Sequence, residues 1–218
     1  MVLVLGCSFR PQTRLVDTSA TDGIKRFEWA FNGLPYSWEV PIPYQLYQEY
    51  RSRPRRNRYD IYITDDGDDE YIGSLCREIE ETDVRSDWSG KIDFVLSFVQ
   101  SLEYSEDALT GFDEYPRYPI ETLYEQGGDC EDTAILFVSI VRELGYGAVL
   151  LKFDGSEHMA AGVKISDDVI DTWPKGYTLT YYSNRDNNYA YCETTGSGWR
   201  IGERPDWIAE ESAVVIEV

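Results

Sequence analysis

Phe27, Trp29 and Phe31 alternate with polar or small residues, and Tyr36, Trp38 and Val40 do the same after Asn32-Gly33. Two alternating runs around Asn-Gly predict a β-hairpin. Beyond Pro41 and Pro43, Tyr44 to Arg51 predicts a short helix, and the alternating run Tyr59 to Ile63 predicts a strand. The acidic run Thr64 to Glu70 then leads into a helix through Ile72, Leu75, Cys76 and Ile79. A second amphipathic helix is expected from about Lys91 to Glu103, with Ile92, Val95, Val99 and Leu102 on one face and Gln100 at its border. Ile120 to Glu125 makes one further helical turn or two. Ala134, Ile135, Val138, Val141 and Leu144 mark a mostly buried helix that Gly145 ends.

After Gly145 the period changes. Residues 148–153, 158–165, 169–173, 189–194 and 213–218 all carry strand patterns joined by turns. Helices thus give way to mostly consecutive strands. The polar stretch from Glu81 to Trp88 divides the chain into an N-terminal accessory part, 1–86, and a core, 87–218.

Charge narrows the function classes. Forty acidic against twenty basic residues give a formal charge of −20, which opposes nucleic acids and anionic membranes. Only five basic residues are Lys, and so acidic a surface is expected of a protein from a salt-loving organism. The exception is the Arg-rich loop 51–58, read as a strip neutralised by the protein's own carboxylates in preference to a patch for an anionic partner. The acidic run 64–70 lacks the ligand spacing of a calcium loop and is read as helix capping.

No run reaches the roughly twenty apolar residues of a membrane span, and Met1 to Leu5 lacks a basic leader. A cytoplasmic protein is expected. The alternative, a lipid-anchored or exported protein, rests on Val4-Leu5-Gly6-Cys7 as the end of a truncated signal. The four cysteines form no Cys-x-x-Cys pair, so neither a zinc knuckle nor a redox dithiol is suggested. No metal or cofactor is called for, and the sequence leaves the oligomeric state open.

Chemistry concentrates at Cys130 and at His158, the only histidine. Gly127-Gly128-Asp129 places Cys130 at a helix start, where the dipole and free N–H groups favour a thiolate. Asp129 is a natural N-cap, and the two glycines permit close backbone approach. His158 opens a strand 28 residues later and supplies the general base that a thiol nucleophile needs. Asp129, Glu131 and Asp132 disfavour a thiolate by like-charge repulsion, which salt screens if Glu131 and Asp132 point to solvent, and they are read chiefly as capping groups. Glu193 is the favoured carboxylate to orient the imidazole, with Asp171 as its rival. Cys192, beside Glu193 on a strand, is expected to face the core. Gln100 is the candidate second oxyanion donor, with Tyr104 as the alternative.

The motifs at 127–132, at 158–163 (His-Met-Ala-Ala-Gly-Val) and at 191–196 (Tyr-Cys-Glu-Thr-Thr-Gly), with Tyr118-Pro119-Ile120-Glu121-Thr122-Leu123 upstream, resemble the transglutaminase-like superfamily, especially archaeal members of unassigned substrate. The resemblance covers roughly Lys91 to Pro205. It implies a papain-like α+β core with the catalytic helix packed on an antiparallel sheet, a Cys-His-Asp type triad and no cofactor. Its members include cysteine proteases, amide hydrolases, cross-linking acyltransferases and inactive relatives, so a peptide or protein substrate is implied, but not one reaction. A non-catalytic binding or scaffold module is the alternative. The departure from the family pattern is Glu193, where Asp is usual.

Overall fold

The computed structural model describes residues 23–56, 58–82, 88–105 and 115–218. Cys7 and most of the expected boundary at 81–88 therefore lie outside the described residues. Strands β1 (Ile24–Phe31) and β2 (Leu34–Pro41) form the expected hairpin, closed by Asn32 and Gly33 with φ of 51° and 77°. Two successive positive φ values suit the right-handed twist of the paired strands, and Asn-Gly adopts them at low cost. Helices α1 (Tyr44–Ser52), α2 (Asp60–Ile63), α3 (Asp69–Glu81) and α4 (Trp88–Val99) follow. A two-residue strand, β3 (Glu103–Tyr104), then precedes α5 (Pro119–Glu125).

Strand β4 (Gly127–Gly128) runs parallel to β3 and leads directly into α6 (Cys130–Glu143). The remainder is an antiparallel sheet of β5 (Ala148–Phe153), β6 (His158–Ile165), β7 (Tyr181–Asn184), β8 (Asn187–Cys192) and β9 (Val214–Ile216), in the order β7-β8-β6-β5-β9. Helix α7 (Asp167–Asp171) lies between β6 and β7. The fold is α+β, as the resemblance implies.

Alternation on β6 explains how the sheet takes up two layers. Met159, Ala161, Val163 and Ile165 face a large cluster with the α6 residues Ile135, Val138 and Val141, whereas Ala160 joins Leu151, Phe153, Tyr191 and Ile208 on the other face. The large cluster also contains Phe27, Trp38, Tyr50 and Ile72, so residues on both sides of the expected boundary share it. Cys192 is fully buried in this cluster, on the face opposite Tyr191, as its place beside Glu193 implies.

Two expected strands are helices. Residues 60–63 form one turn that buries Tyr62, whose hydroxyl accepts from Arg56 N at 2.8 Å. Residues 167–171 form another, begun by Ser166, whose side chain accepts from Val169 N. Asp69 and Glu70 of the acidic run lie in the first turn of α3, where negative charge suits the helix dipole, but the cap itself departs from expectation. Asp68 stands at the N-cap of α3 but makes no side-chain cap, and instead accepts from Ile120 N at 3.2 Å, at the start of α5. Burial is the main force raising its carboxyl to about 8, with nearby Asp65 and Asp69 adding to it.

Candidate active site

Helix α6 starts at Cys130 because Asp129 caps it. Its Oδ1 accepts from Glu131 N at 2.9 Å and Asp132 N at 3.2 Å, while Asp132 Oδ2 accepts from Asp129 N at 3.2 Å. The N–H of Cys130 is outside this reciprocal cap. The preceding glycines are required by close approach: a Cβ on Gly127 would lie 2.5 Å from Glu103 O, and one on Gly128 would lie 2.6 Å from Asp132 Cβ. The register Glu103↔Gly127 and Tyr104↔Gly128 thus fixes the entry to the helix.

Asp132 does not point to solvent. It is fully buried, accepts from Arg117 N at 2.7 Å through Oδ1, and forms an ion pair with the Arg117 guanidinium through Oδ2. Arg117 Nε also donates to Glu125 at 3.1 Å. The Arg-rich loop joins the same kind of pairing: Arg51 meets Glu125, Arg53 meets Asp65 and Glu49, Arg55 meets Glu121, and Arg58 meets Asp60. These are the protein's own carboxylates, in agreement with the neutralised-strip expectation.

His158 opens β6 opposite Phe153, and its imidazole is buried. Its ring packs on Phe153 at 6.2 Å between centroids and is met edge-on by Trp207 at 4.9 Å. Nε2 lies 3.1 Å from Glu193 Oε2. The same oxygen accepts from the Tyr191 hydroxyl at 2.5 Å, while Oε1 accepts from Thr195 N at 3.0 Å and Thr195 Oγ1 at 2.6 Å. Burial pushes the Glu193 carboxyl up, but the bonds from His158, Thr195 and Tyr191 more than offset it and leave it below its ordinary value. An ionised carboxylate only accepts, so Nε2 is the donor in this bond and carries a proton.

The next residue along β6 links the two halves of the site, because the amide N–H of Met159 is directed at the Cys130 sulfur. Burial is the first cause of a Cys130 thiol pushed up to about 12. The Met159 amide opposes this, while Asp129, Glu131 and Glu193 reinforce it. The resting sulfur is therefore a protonated thiol, and desolvation matters more than the flanking acids.

Of the two rival carboxylates, Asp171 is exposed at the end of α7, and it is the favoured Glu193 that bonds His158. The Gln100 expectation is corrected. Gln100 is buried, but its Nε2 donates to Glu193 O at 2.8 Å and Trp199 O at 3.0 Å, and its Oε1 accepts from Gly198 N at 3.1 Å. With both amide protons engaged, it braces the segment after Glu193 and is not left to receive an oxyanion. Tyr104 is the residue that β3 brings beside the cysteine loop. Tyr191, Thr195 and Trp207 join the site without having been singled out in the sequence, although the alternation Tyr191-Cys192-Glu193 already puts Tyr191 and Glu193 on one face.

No family model matches the chain, and no curated protein matches it. Among solved structures, calcium-bound LapG of Legionella pneumophila aligns at 17% identity and a TM-score of 0.42, over 78% of this chain and 78% of that one. EGTA-treated LapG of the same organism aligns at 15% identity and 0.41, over 72% and 77%. A structure described as a TGase aligns at 15% identity and 0.38, over 85% of this chain and 48% of that one. Among the described residues no helix is long and apolar enough to cross a membrane, and no three His, Cys, Asp or Glu residues gather as a metal site.

Proposed function

We propose that the chain is a transglutaminase-like thiol enzyme that transfers the acyl group of a peptide or side-chain amide through Cys130, His158 and Glu193. The observation that carries this reading is the buried His158–Glu193 bond, set one residue from the amide that points at the Cys130 sulfur. As the sulfur attacks the carbonyl carbon, its proton passes to His158 Nδ1. Glu193 stabilises the imidazolium so formed, and the Cys130 N–H, free of the cap, receives the oxyanion. Collapse breaks the C–N bond, and the leaving amine takes the proton from His158. Water or a second amine then attacks the thioester, losing a proton to His158, and the Cys130 thiol is restored. Water makes the enzyme a cysteine protease or amidase; an amine makes it a transglutaminase.

Tyr104 takes the second oxyanion place in this reading. Tyr104→Phe is expected to lower kcat by about tenfold or more with little change in KM, since the bond forms only in the transition state. Equal kinetics on a dye-labelled casein substrate would remove Tyr104 from the mechanism.

A non-catalytic binding module is the second reading, and the raised thiol pKa favours it. Alkylation by iodoacetamide at graded pH separates the two. An enzyme has a Cys130 that depends on its base: the rate at pH 7 should fall by about tenfold or more in His158→Ala, leaving only the rise toward alkaline pH that a solitary raised thiol shows. A rate indifferent to His158→Ala at every pH would leave the binding module.

A further inference from the structure

A cavity of about 670 Å³ opens between the β1–β2 turn, α4, α7 and the segment 197–203. Neither Cys130 nor His158 lines it. Its size falls in the range of about 300–1,000 Å³ that holds one compact organic molecule. Phe31, Trp173, Tyr177 and Trp199 contribute to its walls, and Tyr177 and Trp199 keep 53% and 36% of their surface exposed. Aromatic faces of this size at the surface cost hydration that an occupant would relieve.

Charge selects the class of occupant. Among the described residues that line the cavity, Asp93 and Glu203 are the carboxylates and Arg200 the one cation, its guanidinium 5.0 Å from the Tyr177 ring centroid. Arg200 N donates to Glu203 Oε2 at 3.0 Å, which holds that carboxylate at the wall. Ring faces and carboxylates both attract a cation, and the protein's charge of −20 adds to the attraction while opposing anions. The wall is preformed: Gln100, itself buried and part of the lining, holds Gly198 and Trp199 through the bonds already described. A preformed wall spares the ordering cost of binding.

We propose that this cavity is a second binding site, for a small organic cation that combines a flat apolar ring with an ammonium group. Calorimetric titration of the intact protein with tyramine tests it, beside 4-ethylphenol, which lacks the amine, and 4-hydroxyphenylpropionate, which replaces it with a carboxylate. Saturable one-to-one binding of tyramine is expected, about tenfold tighter than 4-ethylphenol, with the carboxylate weakest. Glu203→Gln retains an acceptor for Arg200 N and so the local fold; it should reduce tyramine to the affinity of 4-ethylphenol. Trp199→Ala should weaken both ligands, and Cys130→Ala should change neither. Absence of saturable tyramine binding, equal affinities for the three compounds, or an undiminished affinity in Glu203→Gln would overturn the proposal. Because binding is measured without thiol chemistry, this result is independent of the alkylation test.

Discussion

Replacing Glu193 with glutamine is expected to lower turnover of an amide substrate by about 10³–10⁴-fold while the protein stays folded. The reason is the set of donors around the carboxylate. Glu193 accepts four hydrogen bonds, two at each oxygen, from His158 and Tyr191 on one side and from Thr195 N and Oγ1 on the other. Thr195 N is a fixed backbone donor, so the carbonyl oxygen of the substituted amide side chain must turn to it. The new NH₂ then faces Tyr191 and His158. A hydroxyl can rotate to accept, but Nε2 can accept only by giving up its proton, which moves the imidazole to the Nδ1–H tautomer.

In that tautomer the nitrogen proposed to serve Cys130 is already protonated and no longer acts as a base. His158 is the only histidine in the chain, so its imidazole ¹⁵N resonances identify themselves. They should report a protonated Nε2 in the native protein and a protonated Nδ1 in Glu193→Gln. Glu193→Asp, which restores an acceptor on a shorter arm, should return the native tautomer and part of the activity. An unchanged tautomer in Glu193→Gln would sink the assigned role, whatever happened to turnover.

Legibility of the sequence followed how many constraints each pattern carried. Strands β5 and β6 have the bounds their apolar runs predict, because both are buried along nearly their whole length and turns close them on either side. The sequence Tyr59-Asp60-Ile61-Tyr62-Ile63 alternates, yet only Tyr62 among its α2 residues is fully buried, so no sheet face rewards the alternation and a single turn forms. At 167–171 the decisive signal is Ser166 followed by two aspartates, an N-cap with acidic first turn, and the apolar Val169-Ile170 draws attention from it. Strand β7 is half-exposed and follows a turn-rich stretch, which hides it from any periodicity test. At the site, Cys130, His158 and Glu193 stand out because their chemistry is rare and ordered. Gln100 and Asp132 are harder to read because their partners lie far away in the chain: Trp199 is 99 residues from the one, and Arg117 is 15 from the other.

Asp132→Ala is expected to destabilise the protein by about 3–5 kcal/mol and to lower its melting temperature by roughly 10–15 °C. The side chain is fully buried and serves three donors: Arg117 N, the Arg117 guanidinium and Asp129 N. Its removal takes an acceptor from two backbone N–H groups and a carboxylate from a guanidinium only 4% exposed, which also meets Glu125. That charge is the larger part of the cost, so adding Arg117→Met to Asp132→Ala should recover about 1–2 kcal/mol although a second native side chain has been lost. Ordinary core truncations would instead add. The loss should also reach the thiol, since Asp132 closes the cap that positions Cys130 and packs against Gly128. Paired thermal melts of the two single variants and the double variant measure the coupling, with iodoacetamide labelling of Cys130 below each melt as the local readout. Simple additivity, or a single-variant cost under about 1 kcal/mol, would show that the Arg117–Asp132 pair does not hold the cysteine loop.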